Sequence, residues 1–368
     1  GLLIGSRSWQ INSFVSCFGK MPYFTCLIFL TFVCFLNAKV WTTVDGKKQE
    51  GILFEVNGDQ IGLRINGREY HFLAYRFIPT DREFIRQWSK IPRCHGCSKP
   101  IGNQSVKEAG DYRFHESCFR CLVCAKVFQG GEKLKRDEWG GMVHVDHFDR
   151  AKMCDTCSKI ISSETISSKQ VFKDGRIVCL SCASDGVFDP KRMEEVRKRV
   201  WPTLAALGIT VPTGDVVIRV VGKDVIDKQA LKINARGNLR GLTLTTYKIV
   251  SDGKRTKTSF SHEIFILYGM PHIECASVLA HEYAHVWLNE RFIEDTAPVV
   301  EGFCNLVSEA TLVQEKGKLA SIIRENMKQN NSPIYGMGYR RMKQRLAILG
   351  WPSLLAEMKL KSKPPKLR

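Results

Sequence analysis

LAHEYAHVWLNERFIEDTAPVVEGFCN, residues Leu279–Asn305, holds His281, Glu282 and His285 in the order His-Glu-x-x-His. On a helix, positions i and i+4 stand one turn apart on one face, so both imidazoles can reach a single ion. Glu282 then lies beside the open coordination position, where a carboxylate can take a proton from water. Leu279, Tyr283 and Val286 form an apolar stripe that suits packing on a core and leaves the histidines another face. Glu301 is separated from His285 by fifteen residues and opens a second amphipathic pattern with Val300, Phe303 and Val307. The intervening IEDTAP turn can fold that second helix back, which makes Glu301 the candidate third ligand. The alternative is three polar residues on an inert surface helix, but nine histidines in 368 residues make a chance match rare.

Upstream of this stretch the text reads as strands and a charged helix. DPKRMEEVRKRVWPTLAALGI is helical, DVVIRVV at Asp215–Val221 is a strand, and RGLTLTTYKIV and HEIFILYGMP are two more. A strand directly before the histidine helix can pair with an extended peptide and lay its carbonyl beside the ion. His262 and His272 flank that strand and are expected to have core or surface roles, since the ligand set is complete without them.

Further upstream lie two cysteine arrays. The first is Cys94-x2-Cys97-x17-His115-x2-Cys118-x2-Cys121-x2-Cys124-x19-His144-x2-His147. Ligand pairs two residues apart clamp an ion from a tight knuckle, and a second pair closes the tetrahedron. One zinc takes Cys94, Cys97, His115 and Cys118, and a second takes Cys121, Cys124, His144 and His147; His95 is a bystander. Disulfides would leave three regularly spaced histidines unused. This array resembles a LIM domain, with His144 standing where most members carry cysteine. The second array, Cys154-x2-Cys157-x21-Cys179-x2-Cys182, reads as one four-cysteine zinc site in a LIM-like unit. All three sites are closed and therefore structural. Nine of the fourteen cysteines are thus ligands; Cys17, Cys26 and Cys34 lie in the N-terminal segment, and Cys275 and Cys304 are expected to be buried thiols, with a disulfide pair as the alternative.

From Lys39 to about Lys90, Asp45-Gly46, Asn57-Gly58 and Asn66-Gly67 punctuate short alternating runs. These are hairpin signals for a small β-barrel of about five strands, closed by a helical turn capped by Thr80 or Asp81. The motifs WTTVDGKK, GDQIGLRINGREY and IPTDREFI resemble the Sla-type homology domain, an SH3-like module, which implies an interaction or envelope-associated role. Before it, the thirteen-residue run FTCLIFLTFVCFL suits a secretory signal, with an uncleaved anchor or a buried segment as the alternatives. The net charge of +18 is spread along the chain and densest in the Lys359–Arg368 tail, so a nucleic-acid partner is not expected.

The order of modules resembles the DA-one family of LIM-containing peptidases, known mainly from plants. The resemblance is carried by CDTC at Cys154–Cys157, DGRIVCLSC at Asp174–Cys182, RGLTL at Arg240–Leu244, and LYGMP before LAHEYAHVWL. VEGFC and SPIYGMGYRRM add to it. It implies a zinc-dependent endopeptidase of the gluzincin type. His281, His285 and Glu301 would hold the ion, Glu282 would act as general base on a zinc-bound water, and Tyr335 or Tyr339 would donate to the oxyanion, with an aromatic packing role as the alternative for both. Plant members carry ubiquitin-interacting helices ahead of the LIM region; a signal-like segment and a β-module stand here instead, which suits an exported, bacterial-type member. The expectation is a multidomain α+β chain. It divides into an N-terminal signal or anchor (1–38), an SH3-like barrel (39–90), a LIM domain (91–150), a four-cysteine module (151–186) and a zincin-type domain (187–368). About four zinc ions, a protein or peptide substrate, and protein partners for the LIM and β-modules complete it, with membrane contact only through an uncleaved N-terminus. A periplasmic, envelope-associated or secreted location is expected, with the cytoplasm as alternative. A catalytically silent LIM scaffold is the rival function.

Overall fold

Four antiparallel strands open the described part of the chain: β1 (Lys39–Thr42), β2 (Lys48–Asn57), β3 (Gln60–Ile65) and β4 (Arg68–Leu73), paired in sequence order. The computed structural model describes residues 38–364 other than 58–59, 67, 98, 102–105, 165, 212–215, 234–236, 252–255 and 316. The apolar run at 24–36, Cys17, Cys26 and Cys34, and the end of the basic tail lie outside the described residues.

The sheet has one strand fewer than expected. After β4 the chain coils into a 3-10 turn at Ala74–Arg76, leaving a single bridge between Phe77 and Thr43 where a fifth strand would run. Helix α1 (Pro79–Ser89) starts behind Ile78 without a side-chain cap. Asp81 turns inward instead and accepts from the Thr42 backbone N–H (2.7 Å) and pairs with Lys39 (2.7 Å). Trp41, Ile61, Leu63, Phe77, Ile85 and Trp88 form this module's own core.

The zinc-knuckle region is built from short hairpins: β5 (Val106–Ala109) with β6 (Tyr112–His115), β7 (Leu134–Arg136) with β8 (Met142–His144), and β9 (Lys152–Met153) with β10 (Ile160–Ile161). Its apolar clusters are small and include the cysteines themselves. Such segments need a metal to hold them together. The buried Asp137 carboxylate joins the first array to the second, accepting from the N–H groups of Trp139 (2.8 Å), Gly141 (2.7 Å) and Ile160 (2.6 Å).

Helix α2 (Leu180–Ser184) and strand β11 (Gly186–Val187) lead into the C-terminal body. Helix α3 (Pro190–Leu207) has the start and stop its sequence announces. Asp189 caps the Arg192 N–H (3.0 Å), Pro190 occupies the first turn, and Gly208 ends the helix at φ +78°. Strand β12 (Val216–Val221) and helix α4 (Lys223–Leu231) follow, then the long hairpin β13 (Gly241–Ser251) and β14 (Thr256–Leu267), and β15 (Met270–Pro271). The sheet order is β12-β14-β13, with β12 parallel and β13 antiparallel to β14, so β13 is an edge.

Four helices complete the body: α5 (His272–Asn289), α6 (Ala297–Val313), α7 (Lys318–Gln329) and α8 (Gly336–Lys359), the last broken at Gly350. Helix α5 is buried along most of its length, with Leu279, Ala280, Tyr283, Ala284, Val286 and Trp287 in one large core shared with α3, α6, α8 and the sheet. The whole is a mixed α+β arrangement. Among the described residues no helix is long and apolar enough to cross a membrane.

Candidate metal centre and cleft

Helices α5 and α6 run antiparallel, as the Ser277–Ser308 hydroxyl bond (2.7 Å) and the His281–Asn305 bond (3.0 Å) show. That packing sets Glu301 against the histidine pair. Its Oε2 is 3.1 Å from His281 Nε2 and its Oε1 is 3.6 Å from His285 Nε2, while the two Nε2 atoms are 3.2 Å apart. Nitrogen and oxygen donors about 2.0–2.1 Å from a tetrahedral zinc stand about 3.3–3.4 Å apart. The three side chains therefore fit such an ion as they stand.

Electrostatics agree with that fit. Burial is the largest influence on all three groups and opposes charge, yet the hydrogen bonds and attraction between carboxylate and rings prevail. The Glu301 carboxyl lies well below the usual carboxylate range, and His281 and His285 are held above the ordinary histidine value. Cys304 is a rival donor, since its Sγ lies within 4.8 Å of both histidine donor atoms. The Glu301 oxygens stand at 3.1 and 3.6 Å from the two Nε2 atoms, which makes Glu301 the better third ligand.

Glu282 lines the same cleft, with its carboxylate against β13. Its Oε2 accepts from Thr243 Oγ1 at 2.7 Å. His281 donates Nδ1–H to Asn305 Oδ1, which fixes the tautomer that frees Nε2. Asn305 in turn donates to the Tyr335 backbone oxygen (3.2 Å).

These groups sit in a cleft of about 1350 Å³ bounded by β13, α5, α7 and the loop before α8, with Thr156 of the four-cysteine unit among its lining residues. That exceeds the usual size of a small-molecule pocket, about 300–1,000 Å³. Tyr335 lines the cleft; burial, then the charges of Glu301 and Glu282, raise its hydroxyl's pKa and keep it a donor. Tyr339 is fully buried beside α6, its hydroxyl accepting from Lys343 (2.9 Å), and takes a packing role. His262 is buried in the body against Thr245 (2.9 Å), and His272 starts α5 with its N–H capped by Asp185 (2.9 Å).

The three other clusters also converge. Cys97 Sγ and Cys118 Sγ lie 3.4 and 3.8 Å from His115 Nδ1, and His115 Nε2 donates to the Pro100 oxygen (3.1 Å). Cys94 belongs to the same group. In the second cluster Cys121 Sγ is 3.3 Å from His147 Nδ1, Cys124 Sγ is 3.6 Å from His144 Nδ1, and the two Nδ1 atoms are 3.4 Å apart. In the third, Cys157 and Cys179 sulfurs are 3.7 Å apart, with Cys154 and Cys182 completing the set. Sulfur donors about 2.3 Å from a tetrahedral zinc stand about 3.8 Å apart, so all three fit. His95 stays outside, packed on Tyr112 and accepting from the Arg113 N–H (3.1 Å).

The family model for LIM domains matches residues 94–151, and the DA1-like model, described as Protein DA1, matches residues 219–315, which include His281, Glu282, His285 and Glu301. The chain carries a LIM domain and a DA1-like region. Protein DA1 of Arabidopsis thaliana is 24% identical over 326 residues, covering 70% of this chain and 59% of its own length. The LIM domain-containing protein HDR3 of Oryza sativa subsp. japonica is 22% identical over 260 residues, covering 61% of this chain and 51% of its own length. Four and a half LIM domains protein 1 of Mus musculus is 34% identical over 95 residues, 25% of this chain and 34% of that protein. The chain thus spans only about six tenths of the first of these relatives. Within the DA1-like region, sequence reasoning missed Thr243 and Asn305. Both carry a spacing signal: Asn305 is one turn after Glu301, and Thr243 alternates with Gly241 on the strand face toward α5.

Proposed function

We propose that the chain is a zinc-dependent protein-hydrolysing enzyme whose LIM, four-cysteine and β-sheet modules serve interaction or regulation. The observation that carries this reading is the convergence of His281, His285 and Glu301 donors at tetrahedral spacing, with Glu282 beside them on a large cleft bounded by an edge strand. Zinc held there would acidify a water to a pKa of roughly 7 and polarise a carbonyl. Glu282 takes the proton from the attacking water and returns it to the leaving amine. Among the described residues no strand pairs with the outer edge of β13, so its backbone is free to receive an extended peptide across the cleft. Tyr335 lines the same cleft, which supports a role as donor to the developing oxyanion. The divisions 39–90, 91–150, 151–186 and 187–368 are proposed as functional modules, and an exported location as the setting.

Glu282→Gln tests the reading. It should retain the full zinc complement by elemental analysis and lose about 10²–10⁴-fold in turnover of a degenerate peptide library. Undiminished cleavage by that variant, or no chelator-sensitive cleavage by the parent protein, would sink the enzyme assignment and leave the interaction scaffold.

A further inference from the structure

Strand β13 approaches α5 more closely than a side chain at position 241 would allow. A Cβ on Gly241 would lie 2.4 Å from Glu282 Oε1 and 2.7 Å from Val278 Cγ1. Two residues on, along the same strand face, Thr243 Oγ1 donates to Glu282 Oε2 at 2.7 Å and lies 3.2 Å from the Glu282 backbone oxygen. One carboxylate oxygen is therefore tied and the other occupies the hollow that Gly241 leaves. The carboxylate itself is buried, with Glu282 only 5% exposed.

We propose that Gly241 and Thr243 form a cradle on the edge strand that fixes Glu282, with Oε2 bound by Thr243 and Oε1 seated against Gly241, making Thr243 a positioning residue for the base. This rests on the hydrolytic reading above and adds to it. A hydroxyl donor to a carboxylate is a charge-assisted bond, shorter and stronger than a neutral one. Threonine suits the task because its β-branch restricts χ1 and so limits the directions in which the donor can point. A flexible glutamate on a helix face otherwise samples several rotamers, and only some aim an oxygen at the attacking water. Because β13 also offers its open edge to the substrate, one element both receives the peptide and aligns the base. Backbone pairing that steadies β13 steadies Thr243, and with it Glu282.

The test compares Thr243→Val, Thr243→Ser, Gly241→Ala and Glu282→Gln, using a single peptide recovered from the library by chelator-sensitive cleavage. Valine keeps the shape and β-branch and removes the donor; serine keeps the donor. Thr243→Val should lower kcat about 10- to 100-fold, with KM and zinc content close to those of the parent. Thr243→Ser should recover most of that loss. Gly241→Ala, which displaces Oε1 from the other side, should likewise lower kcat with zinc retained, and gives an independent reading if the valine variant does not fold. Parental kcat in Thr243→Val alongside an inactive Glu282→Gln overturns the cradle and leaves the hydrolytic reading standing. So does an equal loss in the valine and serine variants, or a loss confined to KM or accompanied by loss of zinc. Undiminished cleavage by Glu282→Gln overturns the hydrolytic reading itself.

Discussion

Asn305 shows what one side chain contributes beyond the ligand set. Its oxygen accepts the His281 Nδ1 proton and its amide donates to the Tyr335 backbone, so one group holds a ligand's tautomer and ties α6 to the start of α8. Outer-sphere partners of this kind typically tune affinity or activity by about 10- to 100-fold. Asn305→Ala should weaken zinc binding by that order, measured by competition with a chelator, while the fold persists. Asn305→Asp should keep the His281 bond but oppose the Tyr335 carbonyl, so its zinc affinity should exceed that of the alanine variant. Equal affinities for parent and alanine variant would show that His281 is oriented by packing alone. Ligands were legible at this scale because metal chemistry restricts both residue type and spacing. Asn305 and Thr243 carry only a spacing signal, which does not single them out, because a hydrogen bond to a ligand or base can come from many residue types on any neighbouring element. Tyr335 and Tyr339 look equivalent in SPIYGMGYRRM, and only packing separates the cleft-facing ring from the buried one.

Elements place these residues, and one helix crossing does much of it. Gly302 of α6 lies against Gly338 of α8, so a Cβ at 302 would meet the Gly338 oxygen at 2.4 Å. A Cβ at Gly338 would meet the Pro298 oxygen at 2.2 Å. Both obstacles are backbone atoms, which cannot swing aside, so the helices themselves would have to separate. Overpacking a tight core contact typically costs about 1–3 kcal/mol. Gly302→Ala should therefore lower the denaturant midpoint with unchanged m-value, and, being next to Glu301, weaken zinc binding as well. An unshifted midpoint would mean that this crossing yields without cost. Helices α3, α5 and α6 and strands β12–β14 were legible from their apolar and charged patterning. Helices α4 and α7 were not, since each buries only two residues, Ile226 with Ala230 and Ala320 with Ile322. Of the about five strands expected over 39–90 the structure forms four, since the chain after β4 coils into a 3-10 turn that local pattern does not announce.

In the whole molecule the four-cysteine unit is docked on the C-terminal body. Arg176 donates to the Tyr268 oxygen (2.8 Å), and Asp185 caps α5 at His272 (2.9 Å). Arg240, adjoining the Gly241–Thr243 cradle, bridges the Asp155 carbonyl in the first knuckle to Glu274 on α5. On the other side, Trp139 of the LIM region donates to the Cys157 oxygen (2.8 Å), and Lys318 at the start of α7 lies over the Trp139 ring (5.2 Å). The cleft lining at Thr156 thus depends on a unit whose own apolar cluster is small and whose folding would be metal-driven. Binding of a structural zinc is worth about 10–16 kcal/mol in isolated fingers, so removing one ligand should release the ion and loosen the unit. The C-terminal body has its own large core and should remain folded. Native mass spectrometry should find four zinc ions in the parent protein and three in Cys182→Ser. That variant should gain protease-sensitive sites within 151–186 and keep the body's cooperative unfolding transition. His281→Ala should also carry three ions, without the new protease sites, because its lost ion belongs to the cleft. A parent protein with three ions, and no change on His281→Ala, would mean that the cleft cluster holds no zinc at all.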